Sequence, residues 1–255
     1  MNASLVSRLL PKATLVLVAL LAATAVQASV VIGSTRIVYL QKDKEVTVRL
    51  DSKNQKPTLL QVWLDDGNEH STPDESGIPF VATPPIFRME PQQQQIIRLA
   101  HTGEPLPAER ESLFWFNLLE VPSQALNSEQ NNQLQLAFRS RIKLFYRPAT
   151  LPYDVEEAPA KLQWKYLATE QGQALEVFNP TPYHVSFDTI ELVTGGQRHS
   201  RETSASGDSN MVVPGGRNRF VLPGLKSAPA SALTVEFQTL DDYGVRVSHT
   251  ADIRR

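Results

Sequence analysis

Residues 133–146 read QLQLAFRSRIKLFY and run into Arg147-Pro148. Apolar side chains fall at every second position: Leu134, Leu136 and Phe138, then, after Ser140, Ile142, Leu144 and Tyr146. A period of two places them on one face of a β-strand, whereas a helix would repeat near 3.6. The other face carries Gln135, Ala137, Arg139, Arg141, Lys143 and Phe145, with three cations in succession. No Gly or Pro interrupts the run, so it predicts a strand about twice the ordinary length and on the order of 45 Å long. A sandwich core does not need that reach. The expectation is a strand that packs inside its own domain over part of its length and presents an apolar ridge over the rest. The alternation by itself equally allows a strand wholly of the core.

The first 28 residues are set apart from the fold. Arg8 and Lys12 form a positive n-region, residues 14–26 an apolar stretch, and Val26-Gln27-Ala28 the small residues that a signal peptidase reads. The apolar stretch is short for a membrane span. Cleavage is expected after Ala28, leaving 227 of the 255 residues, enough for two ordinary domains. Residues 1–28 contain no acid, so removing Arg8 and Lys12 takes the formal charge from −2 to −4. So mild a balance argues against nucleic acid or an anionic membrane as partner. Cysteine is absent, which removes thiol chemistry and Cys-ligated metals and leaves stability to buried cores.

Strand-like segments follow at 30–39, 45–50, 58–64, 80–82, 86–89, 94–100 and 113–121. Pro84-Pro85 bars a central strand on either side of it and predicts a sheet edge. Residues 113–121, LFWFNLLEV, are nearly continuously apolar, as expected of a strand covered on both sides. Residues 122–132 are a polar connection. The two prolines of 147–153 make a stiff boundary, after which strand patterns restart at 162–167, 174–178, 184–193, 211–213, 219–222, 233–240 and 245–252. The chain therefore reads as all-β, with one sandwich over 29–148 and a second over 149–255.

No catalytic constellation emerges. The five histidines, His70, His101, His184, His199 and His249, are scattered, with no pair at metal-ligand spacing, and neither a nucleophile elbow nor a phosphate loop is present. Asp65-Asp66 and Asp241-Asp242 are adjacent acids, but neighbours on a strand point to opposite faces, and Asp66-Gly67 reads as a turn. An enzyme is not expected, nor a metal or other cofactor. Two cations stand out: Arg36 within VIGSTRIVYL and Lys143 within IKLFY. A cation inside an apolar strand is costly unless paired or open to a cleft, although a stem snorkelling to a solvated face would also serve. Together, with no acid nearby in sequence, they suggest an anion-binding spot built from two distant strands.

The segments Thr35-Arg36-Ile37-Val38-Tyr39, Arg110-Glu111-Ser112-Leu113-Phe114-Trp115-Phe116-Asn117 and Arg141-Ile142-Lys143-Leu144-Phe145-Tyr146-Arg147-Pro148 resemble the periplasmic pilus-assembly chaperones of the chaperone–usher pathway, the PapD-like family. The resemblance runs over the whole mature chain. Its second half is recognisable mainly by Asn179-Pro180-Thr181-Pro182 and Asp242-Tyr243-Gly244. It implies two immunoglobulin-like β-sandwiches with a cleft between them, in the periplasm of a Gram-negative bacterium. Arg36 and Lys143 match the pair that holds a pilus subunit's C-terminal carboxylate. Leu134, Leu136 and Phe138 match the donor-strand residues that enter the subunit's open groove. Glu111, Arg147 and Asp242 match charged residues placed between the domains. The implied partners are pilus subunits and an outer-membrane usher, and no membrane insertion is implied; an exposed apolar ridge is itself a self-association hazard, which a second copy could cap in the free chain. The short 122–132 connection without cysteines resembles the short-loop subclass. An exported Ig-like structural or adhesive pilus subunit is the alternative, but that would ordinarily be one incomplete domain.

Overall fold

The computed structural model describes residues 29–74, 77–122, 136–169, 172–201, 210–225, 228–229 and 232–253. The expected leader, Leu134 and nearly all of the 122–132 connection lie outside them. The first half supplies β1 (Val30–Ile32), β2 (Arg36–Leu40), β3 (Val46–Ser52), β4 (Thr58–Asp65), β5 (Phe80–Thr83), β6 (Ile86–Met89), β7 (Gln94–His101), β8 (Ser112–Pro122) and β9 (Phe138–Arg147). They form two sheets, β1-β3-β7-β5 and β2-β9-β8-β4-β6. The β2–β9 pair is parallel; β8 pairs antiparallel with both β9 and β4. The strands on either side of Pro84-Pro85 are both outermost, as a residue without an N–H requires. The apolar run of β8 sits at the centre of its sheet with Phe114, Trp115, Phe116 and Leu118 buried.

The inward-facing sets of the two sheets meet in one core. Val48 and Leu50 of β3 and Ile97 and Leu99 of β7 pack against Leu60, Phe116, Leu118 and Leu144 from the facing sheet. Tyr39, Phe80, Phe114 and Tyr146 close one end as an aromatic cluster, with Phe80 edge-on to Tyr39 at 5.3 Å and to Phe114 at 5.0 Å between ring centroids. The expected strand over 133–146 is shorter in the fold: Leu136 and Ala137 precede β9 without ladder pairing. Register gives the reason. Glu120 lies opposite Phe138, so Leu136 would face Pro122, which has no N–H to donate.

The second half supplies β10 (Gln163–Thr169), β11 (Gly172–Phe178), β12 (Val185–Thr194), β13 (Gln197–Ser200), β14 (Met211–Val212), β15 (Arg217–Val221), β16 (Leu233–Leu240) and β17 (Arg246–Ile253), preceded by two 3-10 turns at Val155–Glu157 and Pro159–Lys161. Sheet β10-β11-β15 packs on β13-β12-β16-β17, with β14 also paired to β12. Leu175, Val177, Phe187, Ile190, Leu192 and Val235 fill a second, separate core, where Trp164 and Phe187 meet edge-on. The β13 strand, QRHS, has no apolar alternation to announce it. It exists because Gly195 and Gly196, at φ 55° and 78°, close a two-residue hairpin of the kind whose twist matches the flanking strands.

Candidate functional site

Parallel pairing puts Arg36 of β2 directly opposite Lys143 of β9. Their strand neighbours Ile37 and Leu144 belong to the core, so alternation turns both cations to the outer face of the sheet, toward the second sandwich. The Arg36 guanidinium lies 5.9 Å from the Phe145 ring centroid and donates through Nη1 to the Leu240 carbonyl across the cleft at 3.0 Å. Its Nε is buried and has no hydrogen-bond partner. The Lys143 ammonium sits over the Trp115 ring at 5.3 Å. Burial lowers the Arg36 pKa, and the charges of Asp242, Asp241 and Glu111 partly offset that. The acids absent from the sequence neighbourhood thus arrive from the other domain and from Glu111, the residue before β8.

Beside this pair the sheet has an open edge. Since β2 begins at Arg36, it covers β9 only from Lys143 onward. Among the described residues no strand pairs with Phe138–Ile142 on that side. The same five residues are held by β8 on the other side. Phe138 is 57 % exposed and Leu136 53 %, although Phe138 shares its face with the buried Leu144. Leu134 lies outside the described residues. The ridge continues the core face past the point where a facing sheet covers it.

Arg139 and Arg141, on the cation face of β9, are fixed by a network not anticipated from sequence. Arg141 donates through both Nε and Nη2 to the two oxygens of Asp65, whose side chain is 1 % exposed. Asn117 Nδ2 donates to Asp65 at 2.7 Å and Asn117 Oδ1 accepts from Arg139 Nε at 3.0 Å and Nη2 at 2.8 Å. The guanidiniums stack over Trp63 and Trp115, at 4.8 and 4.0 Å from the ring centroids. Burial alone would raise the Asp65 pKa, but hydrogen bonds from Arg141, Asn117 and the Gly67 amide hold it below the ordinary carboxylate value. The signal is present in the sequence: a row of cations on a half-covered face calls for a counter-charge.

The junction between the sandwiches is also ionic. Arg147 donates bidentately to Asp242, at 2.6 and 2.8 Å, and through Nε to Glu111 at 2.7 Å. Glu111 is buried and accepts from the His184 amide at 2.8 Å with its other oxygen. Burial disfavours the charged Arg147, yet the bonds and charges of Asp242 and Glu111 prevail and its pKa is raised. Asp242 reaches this position on the β16–β17 turn, where Gly244 has φ +80° and lies so close to Thr35 that a Cβ would collide with its hydroxyl. The fold thus brings Arg36 together with Lys143, and Arg147 together with Glu111 and Asp242, around one cleft. No group of three or more candidate metal ligands occurs among the described residues, and none of their helices is long and apolar enough to cross a membrane.

The family model for the N-terminal domain of PapD, a pili and flagellar-assembly chaperone, matches residues 29–152. The model for the C-terminal domain of the pili-assembly chaperone PapD matches residues 157–251. The probable fimbrial chaperone YadV of Escherichia coli K12 is 40 % identical over 227 residues, covering 88 % of this chain and 89 % of that one. A crystal structure of the YadV chaperone superposes with a TM-score of 0.74 at 37 % identity, over 89 % of this chain and all of the other. The SafB chaperone in complex with SafA pilin, from Salmonella enterica, gives a TM-score of 0.70 at 25 % identity, over 88 % and 96 % of the two chains.

Proposed function

Because the chain belongs to the PapD-like family of pilus-assembly chaperones, a non-enzymatic family, we propose that it is a periplasmic chaperone of the chaperone–usher pathway, exported and cleaved after Ala28. It captures pilus subunits, completes their fold with β9 and the segment before it, blocks their premature polymerisation and delivers them to an outer-membrane usher. One observation carries the reading: the open edge of β9 ends at the Arg36–Lys143 pair. A strand added there continues the line of β2. If it runs parallel to β9, as β2 does, it finishes at the two cations with its C-terminal carboxylate, which Arg36 Nε and the Lys143 ammonium receive. An antiparallel strand would bring an ammonium to the same place. Leu136 and Phe138, with Leu134 before them, then enter the partner's uncovered core, a β-augmentation driven by burial of apolar surface and needing no nucleotide. Arg147, Glu111 and Asp242 hold the two sandwiches at the angle that keeps this cleft open.

A polymerising subunit is a poorer fit, because both sandwiches here have complete, separate cores. The test is Arg36→Ala and Lys143→Ala. Each should leave the fold unchanged by circular dichroism and weaken capture of a subunit by about 2–5 kcal/mol, as for breaking a hydrogen-bonded buried charge pair. A subunit whose C-terminus is amidated should be insensitive to either change. Capture at parental strength by both variants would overturn the anchor, and mass spectrometry of what co-purifies from a native periplasm identifies the subunits.

A further inference from the structure

Glu120 occupies the last turn of the pleat before β8 ends, on the face that points into the sandwich, with Leu60 and Phe138 as register partners. It is 93 % buried (7 % exposed), yet among the described residues no lysine, arginine or histidine forms an ion pair with it. Its partners are neutral. Oε1 accepts from Asn54 Nδ2 at 2.6 Å; Oε2 accepts from the Val30 amide at 3.0 Å and from the Ser29 hydroxyl. A buried carboxylate with only neutral donors is costly to keep charged, so the geometry invites a cation. The group in range is the nitrogen of Ser29 itself. Covalent geometry keeps it within about 6 Å of Oε2, because both the hydroxyl of the same residue and the next amide already touch that oxygen.

We propose that Glu120 is the receptor for the α-ammonium group that leader removal creates on Ser29, so that the ion pair seating β1 exists only in the processed chain. The proposal rests on the expected cleavage after Ala28, and the first family match also begins at residue 29. Cleavage hydrolyses the Ala28–Ser29 amide: water adds, the leader keeps the new carboxylate, and Ser29 takes up a proton to become an ammonium. An ammonium near a buried carboxylate is favoured in its charged form. The consequence is local. β1 is only three residues long and pairs with β3 alone, so its closure against Glu120 depends on this end. The anchor also lies beside Phe138, where β9 leaves the sandwich.

Four proteins test it: the mature chain starting at Ser29, the same chain with a Gly-Ser-Gly-Ala extension, and Glu120→Gln in each form, with intact mass confirming each N-terminus. In the parent background the extension, which turns the ammonium into a neutral amide, should raise amide exchange of the β1–β3 pairs roughly five- to thirty-fold. In Glu120→Gln it should change nothing. The partner raises the ammonium pKa, so protection in the mature parent should be full below the ordinary α-amino value of about 7.7–8.0 and fall as pH rises through the higher, folded-state value. The extended chain should show no such fall. An equal effect of the extension in both backgrounds, no effect in either, or a natural N-terminus other than Ser29 overturns the proposal. If Glu120→Gln does not fold, the pH profiles of the two parental forms decide alone. Subunit capture measured on the same proteins is separate: capture intact without coupling removes the anchor and leaves the chaperone reading standing.

Discussion

Glu111 and Asp242 hold the same guanidinium from opposite domains, and their unequal burial sets unequal consequences for removing them. The Asp242 side chain is 27 % exposed, so in Asp242→Ala water can enter while Arg147 keeps its bond to Glu111. Losing two charge-assisted bonds with partial replacement by water should cost about 2 kcal/mol. The Glu111 side chain is 1 % exposed and also satisfies the His184 amide. Glu111→Ala therefore strands the buried His184 N–H and leaves the largely buried Arg147 with Asp242 alone, for about 3–5 kcal/mol. The costs also differ in place. Asp242 lies on the β16–β17 turn and touches neither core, so its removal should leave both sandwiches folded and loosen their relative orientation. Denaturant melts measure the first quantity and small-angle scattering the second. Each acid remains as partner of Arg147 when the other is removed, so the double variant, which leaves the guanidinium with neither, should lose more than the two single losses combined. Equal costs for the two single variants, additivity in the double, or an unchanged scattering profile for Asp242→Ala would refute the reasoning.

The two ends of the alternating face should respond oppositely: Leu144→Ala, at a fully buried site, should lower stability by about 2–5 kcal/mol. Leu136→Glu should melt within about 1 kcal/mol of the parent and no longer hold a subunit in a pull-down; a variant that fails to fold returns Leu136 to the core. The depressed Asp65 pKa gives an acid limit. Its contribution is fully present above the ordinary value of 3.8 and is lost as pH falls through the lower, folded-state value. Melts between about pH 5 and pH 2 should therefore show a steeper acid loss for the parent than for Asp65→Asn; parallel curves would rule the coupling out.

The fold was legible where a pattern maps onto one physical requirement. Alternation in β3, β7 and β9 specifies a half-buried strand, the unbroken run in β8 a central one, and Pro84-Pro85 an edge. What stayed hidden depends on distance in space. Nothing near Arg36 in sequence announces the acids that offset its burial, because they come from Asp241 and Asp242, more than two hundred residues on, and from Glu111. Asp65 reads only as one of two adjacent acids, and the sheet is what brings it beneath Arg141. Glu120 carries no signal of its own within the apolar run of 113–121, and its polar partners come from the start of β1 and from Asn54. The end of β9 is a register effect: Pro122 and Leu136 must be aligned across a connection before the missing N–H has a meaning.

Donation of a strand sets two requirements that oppose each other, since the lent residues must be ordered enough to hold register yet uncovered enough to enter another core. Ordering a residue's backbone costs about 1–2 kcal/mol, and a floppy donor would subtract that from the complex at every position. In β9 the two demands fall on opposite faces. The cation face is locked by Asp65, Asn117 and two tryptophans, which fixes rotation about the strand axis, and β8 fixes its register over Phe138–Ile142. With one face and one edge held, the remaining face can stay bare without losing its direction. The polar network is thereby the reason the apolar ridge can be presented at all. Its position next to Phe138 and not beside Leu144 follows, because Leu144 is already held by the core and needs no such support.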